Sequence, residues 1–213
     1  MFIDRISVME CSHFKHINMR KFVLIAICVF GAIVANAQKI SYTGSLTCLK
    51  NEKAVNYQFT YNDMMVGKMS EVDYISRETD EAEKKRAGRG EIWRTQWESD
   101  KQNVYPAKFK ELFEKYGKIA PSDEPQKYTL IVNTDFLEPG FNAIAVRRDA
   151  MINLTVKIVE TENPENVVAT VTILKAPGST FWGTDISVAD RVGEAYAKAG
   201  KDFGATVAKY CKK

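Results

Sequence analysis

The sequence predicts an α+β protein: a mixed or antiparallel sheet of about four to five strands, ending in a three-strand meander covered by a long terminal helix. Two observations lead to this. Segments 54–61 and 151–160 place apolar residues at every second position, the period of a half-buried strand, and 128–137 also reads as a strand. Segments 70–116 and 187–210 instead repeat apolar residues at three- and four-residue spacing, and they are grouped rather than interleaved with each strand.

The first element reads as an export signal. Met19-Arg20-Lys21 is a short cationic start, and Phe22 to Val34 is apolar almost throughout. Ala35-Asn36-Ala37 has the small-x-small form accepted by a signal peptidase, which sets the cut between Ala37 and Gln38. The apolar run holds 13 residues, whereas a membrane span needs roughly 20. Residues 19–37 are therefore expected to be a signal peptide, with an uncleaved anchor as the alternative. Residues 1–18 fit no part of such a signal and are expected to be a start assigned too early or an unstructured extension. Cys28 follows Ile27 and lacks the small residue that a lipid-accepting cysteine requires.

Export leaves residues 38–213 as a single α+β domain, large enough to bury roughly 70% of its unfolded surface. The signal and its preceding segment carry four basic and two acidic residues, so the remainder has 26 basic against 25 acidic. That balance gives no reason to expect nucleic acid or an anionic membrane as partner. Two cysteines remain, Cys48 and Cys211. An oxidising compartment permits a bridge between them; two buried thiols are the alternative, and spacing alone does not decide.

Lys39–Thr47 and Ala54–Tyr61 read as strands, with the polar stretch Leu49–Lys53 able to close a hairpin between them. Ser70 and Asp73 resemble a capping box opening a helix to about Ala87, supported by the i,i+4 pair Glu81 and Lys85. Gly88-Arg89-Gly90 breaks it. Trp93 and Trp97, then Phe109, Leu112, Phe113 and Tyr116, mark further amphipathic helix, with Gly117 as a stop and Pro121 and Pro125 in a linker. Strands Tyr128–Leu137, Met151–Glu160 and Val167–Leu174 follow, separated by turns at Glu138-Pro139-Gly140 and Asn163-Pro164-Glu165-Asn166. Ser187 and Asp190 open the last helix, which runs to about Tyr210. One stripe of it is bulky (Val192, Tyr196, Ala199, Phe203, Val207) and the next is small (Gly193, Ala197, Gly200, Gly204, Ala208), which predicts close approach to the sheet or another helix.

The chemistry is bounded by an absence. Both histidines, His13 and His16, precede Gln38. An exported chain therefore has no Ser-His-Asp or Cys-His site and lacks the commonest transition-metal ligand. No metal site, catalytic residue or cofactor is expected. Paired carboxylates remain open as acid and base, with Asp135, Glu138, Asp149 and Asp185 near element ends; their alternative role is in turns and caps. Trp93 and Trp97 can stack a sugar or line the core. Phe181 and Trp182, in a loop flanked by Gly178 and Gly183, are the candidate binding residues, and the alternative is that they plug the protein's own core.

The run Phe136-Leu137-Glu138-Pro139-Gly140-Phe141-Asn142, with Arg191 to Lys201 (RVGEAYAKAGK), resembles a pattern in uncharacterised small secreted proteins of Bacteroidota. More loosely, the order of strand, helix, three strands and helix resembles anticodon-binding-like envelope domains, as in the curli-secretion lipoprotein and the TolB N-terminal domain. The resemblance implies a non-enzymatic assembly or adaptor role and supplies no catalytic residues. The expected protein is soluble and exported, periplasmic or secreted, and binds another envelope protein. A carboxylate-dependent glycan hydrolase and a small-ligand carrier are the alternatives. Oligomeric state has no signal here.

Overall fold

The computed structural model describes residues 38–142, 147–178 and 187–211. The expected signal peptide and its Ala37 cut site, the segment before it, and Phe181, Trp182 and Asp185 lie outside the described residues. The chain is α+β, as its patterning implies, with an eight-stranded mixed sheet and a long C-terminal helix.

Strand β1 (Lys39–Gly44) leads through a short 3-10 turn, Leu46–Leu49, to β2 (Ala54–Thr60). Two-residue strands β3 (Met65–Val66) and β4 (Met69–Ser70) precede helix α1 (Glu71–Lys85). Helix α2 (Arg89–Ser99) continues through a five-residue π-helical segment, Asp100–Val104, into α3 (Tyr105–Gly117). Then come β5 (Ala120–Pro121), β6 (Tyr128–Glu138), a ribbon of β7 (Phe141–Asn142) and β8 (Arg147–Arg148), β9 (Ala150–Glu160), β10 (Asn163–Gly178) and α4 (Val188–Cys211).

Across the sheet the order is β1, β10, β9, β6, β2, β5, with β3 beside the far end of β6 and β4 beside β3. The pairs from β1 to β6 are antiparallel; β2 runs parallel to β6 and to β5. Alternation decides which side chains face inward: Leu130 and Val132 on β6, Ile152, Leu154, Val156 and Ile158 on β9, and Val171 and Ile173 on β10 are all fully buried. A bulge between Thr134 and Phe136 shifts the phase of β6, so that Leu137 returns to the buried face. A second shift between Ile173 and Ala176 does the same for β10.

Helices α3 and α4 pack on this inner face. Phe109, Phe113 and Phe203 fill the space, the last two with ring centroids 5.0 Å apart. The small stripe on α4 meets α3: a Cβ on Gly200 would fall 2.2 Å from the Phe109 carbonyl oxygen, and one on Gly204 would fall 2.7 Å from that of Phe113. Both serines, Ser70 and Ser187, cap their helices, each hydroxyl also donating to the aspartate three residues on. Ser70 Oγ accepts from the Asp73 N–H at 3.1 Å, and Ser187 Oγ from the Asp190 N–H at 3.1 Å.

Three expectations are corrected. Strands β1 and β2 form no hairpin: β1 pairs with β10 and β2 with β6, so three long strands separate them. Buried Leu46 and Leu49 anchor the connection as a crossover, while Lys50, Asn51 and Lys53 beyond them are exposed. The sheet holds eight strands rather than four to five, since β3, β4 and β5 are two residues long and carry no alternation to read. The expected meander is interrupted, because the β7–β8 ribbon is inserted between β6 and β9. Its last turn falls at Thr161-Glu162, so Asn163–Asn166 enter β10 through an irregular register instead of forming the turn themselves.

Candidate functional site

The densest cluster of buried polar groups lies where α2 passes into α3. The π-helical turn there buries Asp100 and Lys101, which are 5% and 8% exposed. Lys101 Nζ pairs with Glu71 Oε1 at 2.5 Å and Glu98 Oε2 at 3.0 Å, while Glu71 Oε1 also accepts from Trp97 Nε1 at 2.8 Å. The Lys101 carbonyl accepts from the Tyr61 hydroxyl at 2.6 Å. Tyr61 in turn reaches the Tyr196 hydroxyl, which shares a hydrogen bond with Thr134 at 2.5 Å. A polar chain thus runs from α1 through the core to β6. Burial pushes the Tyr61, Tyr105 and Tyr196 hydroxyls far above the ordinary phenol range, so all three stay protonated. Tyr105 stacks on Tyr196 at 5.0 Å, and its buried hydroxyl has no hydrogen-bond partner among the described residues.

Asp100 also lines a cleft of about 280 Å³. Trp93, Gln96 and Trp97 form one wall and Ser187, Val188 and Ala189 the other. The indoles are stacked, 5.6 Å apart and 15° from parallel, with Tyr74 tilted against Trp97. Trp97 is buried and Trp93 half-buried, so the pair both lines the core and presents a flat apolar surface to the cleft. Burial raises the Asp100 pKa, and the hydrogen bond from Gln96 at 2.7 Å partly offsets it. Such a cleft can stack a ring and accept a hydrogen bond from it. Acid–base hydrolysis needs a second carboxyl group about 5–9 Å away; Asp100 is the one carboxylate among the described lining residues.

Of the carboxylates singled out in the sequence, Asp135 and Glu138 are placed at different clefts. Asp135 sits in the β6 bulge on the open face of the sheet, where Oδ1 accepts from Asn133 at 2.8 Å and Oδ2 from Thr155 at 2.7 Å. Glu138 lines a different cleft, accepting from Arg148 at 3.2 Å and from the Gly140 N–H at 3.3 Å. Asp149 is exposed between β8 and β9.

Two further features lie at the β1 end. The register from Lys39 opposite Leu174 to Gly44 opposite Ala169 is unbroken, and the outer edge of β1 has no strand partner among the described residues. Its Tyr42 packs edge-on against Tyr210 of α4 at 5.2 Å. Cys48, in the 3-10 turn, and Cys211, at the end of α4, are both half-buried thiols.

Sequence patterning missed the Asp100–Lys101 turn. A signal was present: Trp93, Trp97, Lys101, Tyr105, Phe109 and Phe113 recur at a strict spacing of four, and all are buried or half-buried. In a regular α-helix each such step drifts by about 40°. A wider turn corrects part of that drift and keeps the stripe on one face.

No family model matches the chain, and no curated protein matches it. Among solved structures it is similar to two crystal forms of a PelC dodecamer from Paraburkholderia phytofirmans. Identity is 11% and 10%, the TM-score is 0.42 in both, and 79% of this chain covers 98% and 99% of theirs. It is also similar to protein XCC0632 from Xanthomonas campestris, at 20% identity and a TM-score of 0.32 over 51% of this chain and 59% of that one. Likenesses this distant do not bear on function.

Proposed function

We propose that this chain is an exported, non-enzymatic module that binds another envelope protein by accepting an extended segment of it along β1. The observation that carries this reading is the outer edge of β1, which is unpaired among the described residues. The strand is six residues long, holds no proline, has one charged residue (Lys39) and keeps an uninterrupted register with β10. Natural sheets normally blunt such an edge with charge, proline or a bulge, because its free N–H and C=O groups template another strand. Here those devices are nearly absent, and strand addition is an established mode of peptide capture. The export-type N-terminus and the histidine-free remainder agree with a binding role in the envelope. No helix among the described residues is long and apolar enough to cross a membrane.

The test uses a photo-crosslinking residue at Thr43 in the protein as produced in its own cells. Adjacent edge residues point their N–H groups to opposite sides, so of Ser41→Pro and Tyr42→Pro, one loses an outward donor and leaves the β10 ladder intact. That variant should keep the thermal midpoint of its alanine counterpart (Ser41→Ala, or Tyr42→Ala, which already lacks the Tyr210 ring contact) and lose the adduct. An adduct that survives both prolines, or one formed with many proteins in proportion to abundance, refutes strand addition. Light scattering of the purified chain separates self-association from capture of a different protein.

The Trp93–Trp97 cleft favours a second reading, non-hydrolytic binding of a sugar ring. Titration with an oligosaccharide panel should quench tryptophan fluorescence, and Trp93→Ala should abolish the change. Flat titrations throughout remove this reading.

A further inference from the structure

The chain's two ends meet at one corner of the fold. Cys211 Sγ lies 3.3 Å from the carbonyl oxygen of Leu46, to which it donates. Leu46 begins the 3-10 turn, and Cys48 stands two residues further on in that same turn. The thiols are close enough to interact electrostatically: after burial, the neighbouring Cys211 is the next cause raising the Cys48 pKa. Each is carried by an anchored element. Leu46 and Leu49 fix the turn in the core, and Val207 with the Tyr42–Tyr210 contact fixes the last turns of α4. Among the described residues no group of three potential metal ligands forms, so no metal site competes for the pair.

We propose that Cys48 and Cys211 are a disulfide-forming pair whose oxidation staples the end of α4 to the turn following β1 and thereby fixes the edge strand. Each thiol gives up one proton and one electron, a single S–S bond forms, and a disulfide oxidant is reduced to two thiols. The bond and the fixing of β1 both stand independently of the strand-accepting reading; only the bearing of a fixed β1 on partner capture rests on that reading. Burial raises both thiol pKa values, so thiolate is scarce at neutral pH and oxidation should accelerate as pH rises.

The experiment equilibrates the full chain in mixed oxidised and reduced glutathione, quenches with acid, blocks remaining thiols with iodoacetamide and digests with trypsin. Lysines at 39, 50, 209 and 212 define the expected product: residues 40–50 linked to residues 210–212, lost on dithiothreitol treatment. Cys48→Ser and Cys211→Ser must each abolish it. Full alkylation of both cysteines, or separate glutathione adducts on each, overturns the bond. Hydrogen exchange supplies the second readout. Amides of residues 39–44 should exchange severalfold more slowly in the oxidised protein than in the reduced one, with no such difference in the serine variants. A linked peptide without slower exchange overturns the fixing of β1, and leaves the crosslinking test of strand capture to stand or fall separately.

Discussion

At Gly200 the α3 backbone occupies the place of a side chain: a Cβ there would sit 2.2 Å from a carbonyl oxygen that belongs to a packed helix and cannot swing away. Gly200→Ala should therefore destabilise by about 1–3 kcal/mol, the usual scale of overpacking, despite the better helix propensity of alanine. Gly193 is a built-in control. Its Cβ would meet the Lys108 and Val104 side chains at 3.5 Å, an ordinary contact, so Gly193→Ala should stabilise by up to about 1 kcal/mol. Urea melts of the two variants check both signs. Asp100 gives a pH-dependent prediction. Burial raises its folded-state pKa above the unfolded value, so the folded protein holds the proton more tightly than the unfolded chain. Stability is then lost as pH rises from the unfolded carboxylate pKa through the folded one. Asp100→Asn, which keeps an oxygen acceptor for Gln96, should match the native protein at low pH and exceed its thermal midpoint at neutral pH. Equal midpoints at both pH values would show that the carboxylate carries no burial cost.

At the scale of elements, the π-helical segment sets the angular phase between α2 and α3. Gln102 within it is exposed. Replacing it with alanine should change little, whereas deleting it should rotate α2 by about 100° against α3. Trp97 would leave its buried position and the Glu71–Lys101 pair would be broken, a loss of at least about 2 kcal/mol from the indole alone. Denaturation of the two variants, followed by tryptophan fluorescence, distinguishes the outcomes. The capping boxes at Ser70 and Ser187 were legible beforehand, because a cap is a local hydrogen bond between residues three apart. The π turn was missed although its spacing-four stripe stands in the sequence, because the wider turn follows only from the demand that the tryptophans and phenylalanines share one buried face.

Across the whole molecule, stability should be graded outward from β9. That strand is flanked by β6 and β10 and has Leu154, Val156 and Ile158 fully buried. Its central amides should be the slowest to exchange, and the reduced protein's β1 amides among the fastest, since β1 is paired on one side. Exchange of β1 as slow as that of β9 would mean that its outer edge is already occupied in solution. The two candidate sites differ in the same respect. The indole cleft is formed by neighbouring helices and the start of α4, while the edge exists because β1 pairs with the distant β10 and the thiol pair because the turn after β1 lies against the end of α4.

What the sequence determined by itself was local: the period-two alternation of the long strands, the helix caps, the small stripe of α4, and the histidine-free composition after Gln38 that narrows the chemistry. Tertiary structure decided which strands became neighbours. Nothing in residues 39–61 distinguishes a hairpin from a crossover, because alternation specifies a face but not a partner; buried Leu46 and Leu49 made the choice. The same holds for function. Asp135 and Glu138 looked alike in sequence, and folding placed them at separate clefts. Two cysteines 163 positions apart were carried to one corner, since contacts between distant segments depend on how the whole hydrophobic surface is buried.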